Sequence, residues 1–207
     1  MGSGIADRLN IRRCIVLVGW GIWMVAFRDI AASGQQEGKN MVRENLRNHV
    51  EYLTVRIGER NLWKGDSLDR AAAYIEATLR QFGYAVERQT YPCYGKTASN
   101  LVAEKEGTDS RIVVGAHYDT VPGSPGADDN ASAVAGLLEL ARLLKESPGR
   151  RHVSLVAFAN EEPPFYGSNN MGSMVFVVPP LCITKAQLDE GLAIVEKALE
   201  MADKAAA

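Results

Sequence analysis

The residues best suited to chemistry lie first in the stretch GAHYDTVPGSPGADDNAS, residues 115–132 of a 207-residue chain. This stretch places His117, one of only three histidines, at the end of an apolar run, with Asp119 two residues later. A doubled aspartate that begins at Asp128 follows a loop rich in glycine and proline. One neutral imidazole and several carboxylates are a reasonable ligand set for a borderline divalent ion such as zinc. The stretch therefore predicts a metal site.

A second acidic pair, Glu161 and Glu162, directly follows another apolar run. Because neighbours on a turn face different ways, one glutamate can ligate a metal while the other takes a proton from the attacking water. In an extended strand Asp119 points to the same side as His117, so its carboxylate can fix the tautomer of the imidazole. Asp128 can bridge two ions through its two carboxylate oxygens.

The segments around these residues alternate between patterns typical of strands and of helices. The predicted strands cover 84–92, 99–105, 111–117 and 152–160, and the predicted helices cover 42–57, 67–82 and 131–145. This alternation predicts an α/β domain with a largely parallel sheet. Sites in such sheets form beyond the carboxyl ends of the strands. We therefore expect His117, the Asp128 loop and the glutamate pair to converge on one rim.

Each of these features has an ordinary structural explanation when it is taken alone. A lone histidine at a strand end is more often a hydrogen-bonded structural residue. The sequence Asp-Asp-Asn before a helix is usually an N-cap, which here would be Asp129 or Asn130. An E-E-P-P turn is usually a solvated loop. Their occurrence in order, at the ends of matching strands, favours a shared site instead.

The stretches GAHYDTVPGSPGADDNASAVAGLLELARLL and VAFANEEPPFYGSNNMGS resemble the co-catalytic di-zinc aminopeptidases, the family of aminopeptidase Y and the bacterial leucyl aminopeptidases. The resemblance covers 111–173 and extends back to about residue 41, which implies a partial zinc-peptidase domain over 41–173. The implied fold is a three-layer α/β sandwich of the zinc-exopeptidase type, with a mostly parallel or mixed central sheet. The implied reaction is hydrolysis of N-terminal peptide bonds with two Zn²⁺ ions and a peptide or aminoacyl substrate.

The same resemblance implies a role for each residue of the expected site. His117 binds the first zinc, Glu162 binds the second, and Asp128 bridges both. Glu161 is the general base, and Asp119 orients the histidine.

The resemblance ends near Ser173, and residues 174–207 form an unrelated-looking tail with one amphipathic helix. The family supplies two further ligands downstream, one aspartate and one histidine, but this chain has no histidine after His152. Asp189 and Asp203 lie inside the predicted tail helix. The tail resembles the C-terminal end of class-III pyridoxal-phosphate aminotransferases, which implies a junction near Ser173 and no transaminase chemistry. We therefore expect a domain that is incomplete on its C-terminal side and an impaired aminopeptidase. The alternative is a non-catalytic metal-binding or interaction remnant of that family.

The N-terminal region contains an uncharged run, CIVLVGWGIWMVAF at 14–27, after three arginines. This pattern predicts a signal peptide or membrane anchor over 1–33, with small residues at 31–33 for cleavage, and a buried core helix is the alternative. The polar residues 34–40 predict a linker. We expect a periplasmic, extracellular or membrane-anchored protein that contacts the membrane only through this segment.

The composition of the chain sets wider limits. Hydrophobic residues make up 46% and charged residues 23%, which is ordinary for a globular protein and unlike a disordered one. A formal net charge of -2 leaves no electrostatic footprint for nucleic acid. The cysteines Cys14, Cys93 and Cys182 are widely spaced, so neither a zinc ribbon nor a disulfide framework is predicted, and pairing of Cys93 with Cys182 stays open.

Overall fold

Four α-helices and five strands occur in the residues that the computed structural model describes, which are 16–17, 36–107, 111–146 and 152–177. The helices are α1 (Gln36–Glu51), α2 (Ser67–Gln81), α3 (Ser132–Glu146) and α4 (Gly172–Val177). The strands are β1 (Val16–Leu17), β2 (Val86–Cys93), β3 (Lys96–Lys105), β4 (Arg111–His117) and β5 (His152–Phe158). Two π-helical turns, Tyr52–Ile57 and Ala127–Ala131, follow α1 and precede α3.

The strands form one mixed sheet in the order β1-β4-β5-β3-β2. The pairs β1–β4 and β4–β5 are parallel, and the pairs β5–β3 and β3–β2 are antiparallel. The helix α3 connects β4 to β5 in a βαβ unit, which is the usual way to join parallel neighbours. The predicted α/β fold with a mixed central sheet is confirmed.

The sheet buries both of its faces, because alternate residues of a strand point in opposite directions. On β5, Leu155 and Ala157 pack in the main core, which also contains Ile75 and Leu79 from α2. The alternate residues Val156 and Phe158 point to the other face and form a second cluster with Val113 of β4. Val102 and Phe176 pack against this cluster. The near-continuous apolar sequence of β5 therefore reflects burial on both sides.

Most predicted elements differ from the observed ones by only a few residues at their ends. The linker predicted at 34–40 is an exception, because α1 begins at Gln36. Its glutamine, glutamate and lysine are good helix formers, so a polar sequence did not prevent a helix here. The predicted helix over 42–57 also changes to π-helical hydrogen bonding at Tyr52 and ends at Gly58, whose φ is +84°.

The two ends of the chain lie mostly outside the described residues. The predicted signal or anchor segment is represented by Val16–Leu17 alone, whose backbone pairs with Val113 and Val114 of β4. These two residues thereby lie next to β4 at one edge of the sheet. In the tail, residues 174–177 belong to α4, and the predicted amphipathic helix lies outside the described residues. Within the described ranges, no helix is both long and apolar enough to cross a bilayer.

Candidate active site

The candidate site lies at the rim of the sheet where β4 and β5 end together. His117 is the last residue of β4 and pairs with Phe158, the last residue of β5. The N–H of Tyr118 then donates to the carbonyl of Phe158 at 2.9 Å, which keeps the two chains together beyond the strands. Glu161 and Glu162 follow from β5 directly. The two parallel strands thus deliver the histidine and the glutamate pair to one place, as the sequence predicts.

Three side chains meet at this rim with their ligand atoms within 4.8 Å of one another, namely those of His117, Asp129 and Glu162. We call this group the rim cluster. Nε2 of His117 lies 3.0 Å from Oδ1 of Asp129. The imidazole is largely buried, whereas the carboxylate of Asp129 is about half exposed. The cluster therefore combines one nitrogen and two carboxylate oxygens on a surface that solvent and small ions can reach.

Of the two neighbouring aspartates, the rim cluster contains Asp129 and not Asp128, the residue proposed from the sequence. Asp128 is exposed, and its carbonyl accepts a hydrogen bond from the hydroxyl of Ser132 at 2.8 Å. The backbone departs from helical geometry here, since both Asp129 (φ -114°, ψ 92°) and Asn130 (φ -138°, ψ 38°) have non-helical angles inside this turn. Asn130 accepts a hydrogen bond from the N–H of Ala133 at 3.3 Å, so of the two predicted N-cap residues it is Asn130 that caps α3.

Asp119 links His117 to the turn that carries Glu161 and Glu162. Its side chain is almost completely buried, and Oδ1 lies 3.4 Å from Nδ1 of His117. Its two oxygens also accept the backbone N–H groups of Glu161 at 3.1 Å and Glu162 at 3.0 Å. One carboxylate therefore directs Nε2 of His117 outward and holds the turn that carries both glutamates.

Glu161 is also buried, and Ser173 holds its carboxylate. Oε1 accepts the backbone N–H of Ser173 at 2.6 Å, and Oε2 accepts its hydroxyl at 2.8 Å. Burial raises the pKa of Glu161, and these two hydrogen bonds oppose that change. Glu161 does not belong to the rim cluster, which leaves its role distinct from that of Glu162. Ser173 could not be identified from the sequence, because it lies in α4 and its partner Glu161 lies on the turn after β5.

The electrostatics of the rim cluster favour a bound cation. Burial lowers the pKa of His117, but the carboxylates of Asp119, Asp129 and Glu162 together raise it above its ordinary value. Burial and the neighbouring carboxylates of Asp129 and Asp119 raise the pKa of Glu162. Carboxylates that repel one another in a partly buried site gain stability when a positive charge is placed among them.

The donor set of the rim cluster fits a zinc ion. Zinc accepts histidine nitrogen and carboxylate oxygen, and three protein ligands with an open position are typical of catalytic zinc. His117 presents Nε2 to the cluster while its buried Nδ1 faces Asp119. A carboxylate on the far nitrogen of a ligating histidine is a recurrent arrangement at zinc sites.

A buried arginine, Arg60, fixes the loop that leads to Asp129. Its guanidinium donates to five backbone carbonyls at 2.7–3.1 Å, those of Leu53, Gly58, Tyr118, Pro125 and Gly126. Its backbone also exchanges hydrogen bonds with Thr120. Burial lowers the pKa of Arg60 to about 10, and the carboxylate of Asp119 opposes this change. Gly126 is required beside it, because φ is +54° and a Cβ atom would overlap Thr120 and the carbonyl of Asp129.

A second group of possible metal ligands lies at the other end of the sheet. It contains Glu104, Glu106 and His152, and we call it the opposite cluster. His152 is the first residue of β5, so this cluster lies at the end of that strand opposite the candidate site. Cys93 is a free and buried thiol whose pKa is raised by burial, and Cys182 lies outside the described residues.

Comparison with known proteins agrees with this geometry. Residues 100–177 match the model of peptidase family M28. The chain is 44% identical over 141 residues to the uncharacterized protein YfbL of Escherichia coli, covering 64% of this chain and 44% of YfbL. It is 31% identical over 177 residues to the probable lipoprotein aminopeptidase LpqL of Mycobacterium tuberculosis, covering 80% of this chain and 32% of LpqL. The chain therefore spans less than half the length of these relatives.

Over residues 100–177 the chain is thus similar to peptidase family M28. The resemblance to the zinc aminopeptidases is thereby confirmed, and the M28 match continues to residue 177, past the junction predicted near Ser173. The fold is similar to that of BSAP, a zinc aminopeptidase from Bacillus subtilis (TM-score 0.60, 15% identity, 72% of this chain and 66% of that chain). It is also similar to glutaminyl cyclase from Porphyromonas gingivalis (TM-score 0.57, 30% identity, 67% of this chain and 53% of that chain).

Proposed function

We propose that this chain carries the metal-binding and general-base portion of a zinc-dependent aminopeptidase, which hydrolyses the N-terminal peptide bond of peptides or aminoacyl substrates. The observation that supports the proposal is the rim cluster, with Asp119 behind its histidine and Glu161 beside it, inside the segment that is similar to peptidase family M28. Among the similar proteins, LpqL is a probable lipoprotein aminopeptidase and BSAP is a zinc aminopeptidase.

In this proposal His117, Asp129 and Glu162 hold zinc through one nitrogen and two carboxylates. Asp129 takes the bridging role that the resemblance alone assigned to Asp128, because it is Asp129 whose oxygen faces His117. Zinc, when bound, acts as a Lewis acid that polarises the scissile carbonyl. Asp119 lies 3.4 Å from Nδ1 of His117 and favours the tautomer with its proton on that nitrogen, which leaves Nε2 available to bind the ion.

Glu161 is the general base that accepts a proton from the attacking water. Its two hydrogen bonds from Ser173 favour the ionised carboxylate, which is the form a base must have, and they fix its position next to Glu162. A positioned base of this kind contributes typically about 10² to 10⁴ in rate. Ser173 and Asp119 thus act through Glu161 and His117 and do not contact the substrate.

We also propose that the 207 residues by themselves bind zinc weakly and turn over slowly. The family pattern gives each of two ions the shared aspartate and two ligands of its own, whereas the rim cluster offers one additional ligand per ion. Disturbing a group that only supports the metal ligands typically costs about 10- to 100-fold in metal affinity or activity. The lack of one direct ligand at each ion is expected to cost more.

A second candidate reaction is cyclisation of an N-terminal glutamine. It is favoured by the 30% identity to glutaminyl cyclase from Porphyromonas gingivalis, which is higher than the 15% identity to BSAP. Both reactions act on the N-terminal residue of a peptide, so the rim cluster and Glu161 are compatible with either one. The substrate decides between them.

The test uses the purified full chain, freed of metal with a chelator and then titrated with zinc. Zinc-dependent release of p-nitroaniline from leucyl-p-nitroanilide, abolished by Glu161→Gln without loss of zinc binding, supports the aminopeptidase. Ammonia release from a peptide with N-terminal glutamine, with the same dependence on Glu161, supports the cyclase instead. Zinc binding without either reaction supports the non-catalytic remnant, and absence of zinc binding contradicts all three.

We propose that the protein is exported or membrane-anchored through residues 14–27. The apolar run after three arginines supports this, as does the description of LpqL as a lipoprotein. Fractionation of cells that express the full chain, compared with a chain lacking residues 1–33, tests the proposal. Equal recovery of both proteins in the cytoplasm contradicts it.

A further inference from the structure

Two residues close the base of the turn that carries the glutamate pair. The chain passes through Ala159 directly after β5, carries Glu161 on the turn, and returns to begin α4 at Gly172. The N–H of Gly172 donates to the carbonyl of Ala159 at 2.9 Å. We call Ala159 and Gly172 the neck of the turn. Because Ser173 follows Gly172 directly, the neck sets how far Ser173 lies from the carboxylate that it binds.

The side chain of Asn100, on β3, completes the neck. Its Oδ1 accepts the N–H of Ala159 at 3.1 Å, and its Nδ2 donates to the carbonyl of Gly172 at 2.8 Å. The carboxamide thus acts as a peptide group would between two strands, with an acceptor for one segment and a donor for the other. Together with the direct bond, it uses the backbone N–H and the carbonyl of both neck residues.

The neck is closely packed around Asn100. The residue is 0% exposed, so its polar atoms depend on partners within the protein. A Cβ atom at Gly172 would overlap Oδ1 of Asn100 and the carbonyl oxygen of Ala159, so only glycine fits there. The carboxamide is therefore held at short range by both segments.

A second amide, from Gln89 on β2, fixes the orientation of Asn100. The two residues are cross-strand partners in the β2–β3 pair. Nδ2 of Asn100 also donates to Oε1 of Gln89 at 2.9 Å, so both of its protons have acceptors while Oδ1 has a donor. One orientation of the carboxamide satisfies all three partners, and the position therefore requires the chemistry of an amide and not only its shape.

Asn100 acts on a different part of the site from the residues that support the metal ligands. Asp119 holds the turn of Glu162, and Arg60 holds the loop that leads to Asp129. In the part of the chain that the structure describes, the side chain of Asn100 bonds to the neck and to the β2 partner but to no member of the rim cluster. Its influence is therefore directed at the general base.

We propose that Asn100 is a positioning residue for the general base, which it holds in place through the neck and Ser173. The inference rests on the proposed role of Glu161 and adds a residue to the machinery of that reaction. With the neck closed, the N–H and the hydroxyl of Ser173 both reach the carboxylate of Glu161. When the neck opens, Ser173 moves away with α4, and the carboxylate loses the two hydrogen bonds that orient it.

The first test follows the backbone amide of Ser173, which reports on the neck without metal or substrate. NMR measures its hydrogen exchange in the metal-free full chain, and the amide of Val156 in the middle of β5 is the reference for global unfolding. Asn100→Leu keeps the approximate shape of the side chain but removes its donor and acceptor. Relative to Val156, exchange at Ser173 should become roughly tenfold faster or more, as for the loss of about one hydrogen bond.

Two further variants accompany this measurement. Asn61→Leu is the matched control, because Asn61 is also buried and its side chain likewise donates to one oxygen and accepts one backbone N–H. It should change the exchange of Ser173 relative to Val156 by less than about twofold. Gln89→Ala removes only the group that orients the carboxamide and should accelerate this exchange by about threefold. It decides the test if circular dichroism melts show that Asn100→Leu does not fold.

The second test separates the base from the metal ligands. Zinc affinity of Asn100→Leu, measured by chelator competition, should stay within about threefold of that of the unchanged chain. Its kcat for leucyl-p-nitroanilide should fall by roughly tenfold or more at saturating zinc while KM is unchanged, because a general base acts in the transition state.

The outcomes separate this inference from the proposed function. Faster exchange at Ser173 in Asn100→Leu but not in Asn61→Leu supports the inference, and if the unchanged chain hydrolyses no substrate, that result counts against the proposed function alone. Equal acceleration at Ser173 and Val156, or no acceleration at Ser173, overturns the inference and leaves the proposed function standing. In a chain that hydrolyses, an unchanged kcat in Asn100→Leu, or a loss of zinc affinity as large as the loss of kcat, overturns it as well.

Discussion

The rim cluster and the opposite cluster contain the same kinds of ligand but differ in what surrounds them. Each combines one histidine with two carboxylates within 4.8 Å. In the opposite cluster His152 divides its two nitrogens between the glutamates, with Nε2 3.5 Å from Glu104 and Nδ1 3.7 Å from Glu106. The side chain of Glu106 is 84% exposed. In the rim cluster one nitrogen of the histidine is turned outward by a buried carboxylate that also holds the turn of a second ligand.

This difference shows that ligand types alone do not make a metal site. An exposed glutamate must lose side-chain entropy to bind an ion, whereas a carboxylate held by the fold has lost that entropy already. The rim cluster is fixed by Asp119 and, through the loop, by Arg60, whereas in the opposite cluster Ser154 donates to Glu104 at 3.1 Å and Glu106 is mostly exposed. The predictions below therefore measure how strongly each supporting residue contributes to zinc affinity.

The largest effect is expected for Asp129→Asn, which removes a charged ligand that faces His117 at 3.0 Å. Zinc affinity should fall by more than about 100-fold, since a direct ligand contributes more than a group behind it. The neighbouring Asp128→Asn is the matched control and should change affinity by less than about threefold, as for an exposed charge. Competition with a chromogenic chelator measures both. Equal losses in the two variants would contradict the assignment of Asp129.

Asp119→Asn is expected to reduce zinc affinity by about 10- to 100-fold. The amide keeps the shape of the side chain but can no longer place negative charge behind both His117 and the turn of Glu161 and Glu162. The same competition assay applies, with a denaturation curve as the control for stability. Full zinc affinity in a folded Asp119→Asn protein would remove the distinction between the two clusters.

Zinc affinity at the rim cluster should fall with acidification, beginning above pH 6.5. Zinc needs the neutral imidazole, and the carboxylates around His117 raise its pKa above the ordinary 6.5 despite burial. On acidification, His117 of the metal-free protein therefore takes up its proton already above pH 6.5. The imidazole must lose this proton before it binds zinc. Below the pKa the affinity should drop by roughly tenfold per pH unit. Calorimetric titrations with zinc over roughly pH 8 to 6 measure this change in affinity.

Asp119→Asn provides the control for the pH dependence. It removes a carboxylate that raises the pKa of His117, so the decrease in affinity should begin at a lower pH than in the unchanged chain. An onset at the same pH in both proteins would show that His117 is not the group that titrates.

The smallest effect is expected for Glu106→Gln in the opposite cluster. Because its carboxylate is mostly exposed, the number of bound zinc ions and their affinity should change by less than about twofold. Equilibrium dialysis of the full chain checks both quantities. A loss of one zinc ion per chain in this variant would mean that the opposite cluster is a metal site of its own.

The sequence predicts which strand ends form the rim of the sheet, but it does not identify every side chain that meets there. His117 and the glutamate pair could be located because apolar runs place strand ends, and parallel strands end at one edge. The choice between Asp128 and Asp129 depends on backbone angles within a π-helical turn, and neighbouring aspartates look alike in a sequence. Arg60 could not be identified from the sequence. Its partners are backbone carbonyls of residues between 53 and 126, and every residue has such a carbonyl whatever its side chain.

Arg60 also holds the loop after β4 against the first helical region. A single guanidinium joins the end of the first helical region to the loop after β4, so neither segment can open without breaking hydrogen bonds to the other. Loops at active sites usually exchange their amide hydrogens through small local fluctuations. Here the amide of Thr120, bonded to the carbonyl of Arg60 at 2.7 Å, should exchange only when the whole domain unfolds. If it does, the exchange rate at the approach to the candidate site would report the global stability of the domain.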